Sequence, residues 1–178
     1  MKFAYADPPY FGCGQSHYRH PEWDEVAAHY DLLARLACQY PDGWALSCNP
    51  RDLSRLLPRA YEWTTDVRVA SWCKTWHQIR PTTVQFAWEP VIFCGGRKDP
   101  KRPMVRDWIS GPVTRQTGLK GAKPDYFNDW ILALLNYEPG DEFDDLFPGT
   151  GGMDRAVERA SHQLRPIIKA ESVEGEER

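Results

Sequence analysis

The segment KFAYADPPYFG (Lys2–Gly12) decides how the rest of the chain is read. Its first five residues, KFAYA, are short and apolar, as in a buried strand, and Pro8 and Pro9 stop that strand because proline offers no amide to a ladder. The strand therefore ends on an acid, two rings of fixed φ and an aromatic: Asp7, Pro8, Pro9 and Tyr10. Such a cluster is either a tight turn or a site. An exocyclic amine on a nucleobase is a poor nucleophile, since its lone pair is delocalised into the ring. A carboxylate accepting one N–H and a proline carbonyl accepting the other would localise that pair toward an electrophile. The Tyr10 ring offers a face on which a base taken out of its helix can stack.

Around this segment the composition sets bounds. A length of 178 residues with 42% hydrophobic content fits a single domain, 1–178, with a real core. The net charge of −3 argues against a protein that coats nucleic acid or membrane by bulk electrostatics. Eight tryptophans fit ring stacking and aromatic core packing equally well. Local charge differs from the average: from Gly95 to Lys123, Arg97, Lys98, Lys101, Arg102, Arg106, Arg115, Lys120 and Lys123 face only Asp99 and Asp107. Cys13, Cys38, Cys48, Cys73 and Cys94 form no CxxC pair and read as reduced, packed thiols. With no charged-then-apolar amino terminus and no apolar run near roughly 18 residues, the expectation is a cytoplasmic protein without a membrane span.

Periodicity places the remaining elements. Glu22–Cys38 has helical spacing, Gly43–Cys48 reads as a second strand, and Arg51–Leu57 as a short helix ending near Pro58. Asp66–Trp76 and Thr83–Cys94 are β-branched and aromatic, separated by a turn-rich stretch, and predict an antiparallel pair. Residues 95–123 read as a long basic loop or small insertion. Pro124 opens a helix over Asp125–Asn136, Glu142–Phe147 is strand-like, PGTGG is a glycine turn, and Met153–His162 is a helix. Residues 171–178 read as a flexible acidic tail. Strands alternating with helices predict an α/β domain with a mostly parallel sheet.

The stretch DLFPGTGGM (Asp145–Met153) joins strand, glycine turn and helix start, a geometry that aims backbone amides at a ligand. Together, ADPPY and DLFPGTGG resemble the two signature motifs of the amino-group DNA methyltransferases that use S-adenosylmethionine. The match is Asp7, Pro8, Pro9 and Tyr10 for the catalytic tetrad, and Asp145, Phe147, Gly149 and Gly151 for the cofactor loop. Lys123-Pro124 is similar to the K-P element preceding that loop, and Trp88-Glu89-Pro90 is loosely similar to a late β-hairpin of the family.

The resemblance implies a Rossmann-like methyltransferase fold, circularly permuted, in a small phage-like form, with S-adenosylmethionine as cofactor and DNA as partner. It implies that Ala6, Asp7, Lys123, Pro124, Asp145, Phe147, Gly149, Thr150 and Gly151 meet the cofactor. It also implies a double-stranded DNA substrate whose adenine, flipped out, stacks on Tyr10 and donates N6 hydrogens to Asp7 and the Pro8 carbonyl. Asp at the head of the tetrad favours adenine N6; cytosine N4, RNA and a non-catalytic binding module are the alternatives. Phe11 is expected beside the base, and Arg97, Lys98, Lys101, Arg102 and Arg106 on phosphates. Direct transfer requires no metal, so His17, His20 and Cys13 are not assigned as ligands. After Gly152 only 26 residues follow, room for one further strand at Arg165–Ala170, which would place Glu171 as the ribose acid. A cofactor half shortened in this way leaves a sheet edge that a second copy, in a homodimer, would cover.

Overall fold

The computed structural model describes residues 1–75, 81, 83–114 and 122–163. Strand β1 (Lys2–Ala6) lies between two parallel neighbours, β2 (Gly43–Ser47) and β6 (Glu142–Asp145). Strands β3 (Val67–Lys74), β4 (Trp88–Gly95) and β5 (Trp108–Gly111) complete a six-stranded sheet in the order β5-β3-β4-β2-β1-β6. Strand β4 runs antiparallel to both β2 and β3, while β5 is parallel to β3. The sheet is thus mostly parallel with the expected antiparallel pair.

Side chains alternate across it. Phe3 and Tyr5 face a core built with helices α3 (Asp125–Leu134) and α4 (Gly152–Gln163), where Phe127, Ile131, Met153 and Ala156 are buried. Ala4, Ala6, Trp44 and Leu46 face the other core, formed with α1 (Val26–Gln39) and α2 (Leu53–Trp63) through Leu33, Leu36, Leu56 and Ala60. Helices therefore cover both faces, and the C-terminal ends of β1, β2 and β6 open together at one end of the sheet.

Several boundaries differ from the sequence reading for local reasons. The first helix begins at Val26, after a separate turn at Pro21–Asp24, because the Asp24 carboxylate accepts the amides of Gly14 and Gln15 at 2.8 and 3.0 Å and pulls that turn back. Helix α2 continues through Pro58 to Trp63, since Leu56 and Ala60 on either side of the proline are anchored in the core and Pro58 itself faces outward. Helix α3 stops at Leu134, with Asn136 at φ 53° and Tyr137 donating its amide to the Leu132 carbonyl at 2.9 Å. Strand β5 falls inside the segment read as a loop; at four residues it is too short to show a period, yet Ile109 packs into the core. Cys38 is exposed, unlike the packed thiol expected there, because it sits on the outer face of α1. The expected strand Arg165–Ala170, Glu171 and the tail 171–178 lie outside the described residues. No helix among the described residues is long and apolar enough to cross a membrane, and none of their His, Cys, Asp and Glu side chains form a group placed to hold a metal.

Candidate active site

The end of β1 delivers Asp7 into a buried ion cluster. Lys123 Nζ lies 2.7 Å from Asp7 Oδ2 and 3.5 Å from Glu89 Oε1. Tyr10 donates its hydroxyl to Glu89 Oε1 at 2.6 Å and, more weakly, to Asp7 Oδ1 at 3.3 Å. Lys74, at the end of β3, pairs with Glu89 Oε2 at 2.6 Å. Glu89 reaches this place because β4 enters the sheet at the end where β1 and β2 leave it: Ser47 pairs with Val91, and Trp72 of β3 with Glu89.

Burial and charge set the protonation of each group. Burial pushes the Asp7 carboxyl upward, Lys123 pulls it back, and the Glu89 charge adds to the rise. Glu89 is also buried, but Lys123 and then Lys74 outweigh the burial and hold it down at about 2. Burial alone would lower Lys123, yet Asp7 and Glu89 raise it above the ordinary lysine range. Tyr10 is raised by burial and by the Glu89 and Asp7 charges, so it stays a donor. Two carboxylates thus remain charged beside one another because two ammonium groups stand between and behind them.

Asp7 Oδ2 is taken by Lys123, which leaves Oδ1, with only the long Tyr10 contact, as the available acceptor. Among the described residues nothing donates to the Pro8 carbonyl. Two acceptors thus stand at the strand end, stiffened by consecutive prolines.

One strand away, β6 runs into the glycine turn. Gly149 and Gly151 take φ of 47° and 71°, which a side chain would strain, and the turn is closed by the Gly151 amide on the Pro148 carbonyl at 2.6 Å. Arg155 Nη1 donates to the Thr150 carbonyl at 2.7 Å and fixes the loop from α4. A Cβ on Gly152 would come 2.6 Å from Asn128 Nδ2, so a larger residue here would have to push that side chain aside. Asp145 is pushed up to about 6 by burial, with the Asp154 and Asp7 charges adding to the rise and the Phe147 amide opposing it.

Both motifs open on one cleft of about 540 Å³, its solvent-open part included, lined by Tyr5, Asp7, Lys123, Asp145, Phe147 and Gly149 among others. Asn128, also in its wall, is only 2% exposed, and its Nδ2 has no partner among the described residues. A buried amide donor beside the start of a twelve-residue helix fits an anionic group such as a carboxylate.

Of the expected residues, Asp7, Lys123, Asp145, Phe147, Gly149 and Thr150 line the cleft; Tyr10 joins Asp7 through the ion cluster, and Ala6, Pro124 and Gly151 are chain neighbours of lining residues. The structure does not bring Arg97, Lys98, Lys101 and Arg102 to them. These follow Gly95, which pairs with Gly43 at the N-terminal end of β2, the far end of the sheet from Asp7. There Arg97 is bound to Asp141 at 2.7 Å and Arg102 pairs with Glu138. Arg106 lies just ahead of β5, its carbonyl accepting Trp130 Nε1 at 3.0 Å and its guanidinium over Trp108. Phe11 does not line the cleft; it stacks on His29 with centroids 3.9 Å apart. Lys74 and Asn128 were missed from sequence, and Glu89 was noticed only within a loosely similar stretch. The signal for Glu89 was available: a lone acid inside the apolar run FAWEPVIFC has to find a cation when buried.

No family model and no curated protein matches the chain. Its fold, a Rossmann-like methyltransferase fold, is shared with solved structures. M1.HpyAVI in complex with SAM superposes with a TM-score of 0.60 at 16% identity, over 90% of this chain and 78% of that one. A second structure of M1.HpyAVI gives 0.58 at 18% identity, over 90% and 77%. The candidate DNA modification methylase TTHA0409 from Thermus thermophilus gives 0.54 at 13% identity, over 99% and 89%.

Proposed function

We propose that the chain is an S-adenosylmethionine-dependent DNA methyltransferase acting on the N6 amine of adenine. The observation that carries this reading is the shared cleft: a strand-end carboxylate with one oxygen held only by a long Tyr10 contact, and a glycine turn one strand away, open into the same space. The similarity in fold to M1.HpyAVI, solved with SAM, and to TTHA0409 supports the cofactor and the DNA substrate. The order of the motifs, with the catalytic strand β1 ahead of the cofactor strand β6, supports a circularly permuted arrangement.

The residues present fit the cofactor. Asn128 Nδ2 and the start of α4 would receive its carboxylate, and Gly149, Thr150 and Gly151 let it approach the backbone. When bound, S-adenosylmethionine supplies an electrophilic methyl group on a sulfonium. Asp7 Oδ1 accepts one N–H of the adenine amine and the Pro8 carbonyl the other, which directs the nitrogen lone pair at that methyl. With the donor bound, methylation of the amine would break the sulfonium–methyl bond and release a thioether, and Asp7, whose buried carboxyl is raised, would take the surplus amine proton. Lys123 fixes Asp7 from behind, and Tyr10, tied by its hydroxyl to Glu89, stands as the wall against the base.

Incubation with methyl-labelled S-adenosylmethionine and separate DNA, RNA and protein substrates tests the reading. The expected product is N6-methyladenine in DNA, absent with Asp7→Ala. Label in cytosine or RNA instead would redirect the substrate, and no donor binding by calorimetry would sink the proposal.

A further inference from the structure

Helix α2 follows a turn, Pro50–Asp52, that starts where β2 leaves the sheet at the cleft end; Asn49 Oδ1 caps this turn by accepting the Arg51 amide at 3.0 Å. Arg51 and Arg55 lie one helical turn apart, both exposed, and neither forms an ion pair among the described residues. Each guanidinium rests on an aromatic face: Arg51 over Phe86 at 4.7 Å and Arg55 over Phe11 at 5.4 Å from the ring centroid. Phe11 directly follows Tyr10, and Phe86 is three residues ahead of Glu89. The two guanidinium groups therefore ride on the segments that supply the ion cluster.

A guanidinium resting on a ring face is partly ordered already and loses less freedom on meeting a planar or tetrahedral anion. Of the arginines expected on phosphates, Arg97 and Arg102 already hold carboxylates at the far end, while Arg106 lies over Trp108 just ahead of β5. We propose that Arg51 and Arg55 form a phosphate-gripping pair at the cleft end of the sheet, beside the segment that follows Asp7, holding the backbone of the DNA strand whose base enters beside Asp7. The proposal rests on the DNA substrate argued above.

The test is binding of a labelled DNA duplex to the full chain, followed by fluorescence anisotropy between about 50 and 200 mM salt. In Arg51→Gln/Arg55→Gln the slope of log K against log salt should shrink by about 1.8, roughly 0.9 for each lost phosphate contact. Over that range this is about a tenfold smaller loss of affinity. Arg97→Gln/Arg102→Gln should leave the slope unchanged. Arg51→Lys/Arg55→Lys should keep the slope but bind several-fold more weakly, since it retains charge without the fork. S-adenosylmethionine binding by calorimetry should be the same in all three. An unchanged slope in the glutamine pair, or a loss that tracks Arg97 and Arg102 instead, overturns the proposal and leaves the enzyme reading standing. Absence of DNA binding by the unmodified chain overturns both.

Discussion

The two ends of the sheet each carry a cluster of paired acids and bases, built on arginines at one end and on lysines at the other, and the two differ in what they face. At the N-terminal end, Arg97, Arg102, Glu138, Asp141 and the Met1 amine are paired with one another. Their backbones are bound into the same knot, with the Arg97 amide on the Leu135 carbonyl and Asn136 Nδ2 on the Arg97 carbonyl. At the C-terminal end, Asp7, Tyr10, Lys74, Glu89 and Lys123 are also paired, but Asp7 and Lys123 form part of a cleft wall. The first cluster closes the chain; the second holds charge against burial beside an open space, where perturbed protonation serves chemistry. Charge density alone does not separate the two, whereas facing a cleft does.

The largest expected break in this contrast is at Asp7. Asp7→Ala should lower kcat for methyl transfer roughly 10³-fold, the scale of removing one oriented group from a reacting centre, while calorimetry shows S-adenosylmethionine still bound. Next is Glu89→Gln, which keeps an acceptor for Tyr10 but leaves Lys74 and Lys123 without their shared carboxylate. Glu89 has only 10% of its side chain exposed, so the loss should be about 3 kcal/mol, a fall in Tm of roughly 6–12 °C by calorimetry. At the other end, Arg97→Ala should lower Tm by less than Glu89→Gln does, because Asp141 keeps the Met1 amine as a partner at 2.8 Å. Its turnover should match that of the unmodified protein, so that the same kind of lesion reads out as activity at one end and as stability alone at the other.

What was legible in the sequence was what is local. The strand Lys2–Ala6 and the turn after Asp145 are short apolar or acidic runs stopped by proline and glycine, and both motifs stand where those signals put them. The partners of Asp7 and Tyr10 were harder, since Glu89 lies 79 residues from Tyr10 and meets it only through the order of strands. The distance of the basic run after Gly95 from Asp7 was hidden for the same reason. Its charges were plain, but that β4 runs antiparallel and returns the chain to the far end is a fact of the sheet, not of the segment.

The smallest expected effect concerns Asp145, and it distinguishes a ligand-facing acid from a merely buried one. Its carboxyl is raised to about 6 by burial, with Asp154 and Asp7 adding to the rise. A folded-state value above the unfolded one means the free protein gains stability from this group as pH falls from about 6 toward about 4, where both states are protonated. Binding of a cationic donor should run the other way, because only the ionised carboxylate attracts it. S-adenosylmethionine affinity measured by calorimetry should therefore fall several-fold between about pH 7 and 5 while the Tm contribution of Asp145 improves. Asp145→Asn should flatten both trends and raise Tm at pH 7 by a few degrees, on the order of 1 kcal/mol. If affinity and stability instead move together with pH in the unmodified protein, Asp145 acts only as a buried acid, and the cleft loses the electrostatic feature that separates its end of the sheet from the paired knot at the other.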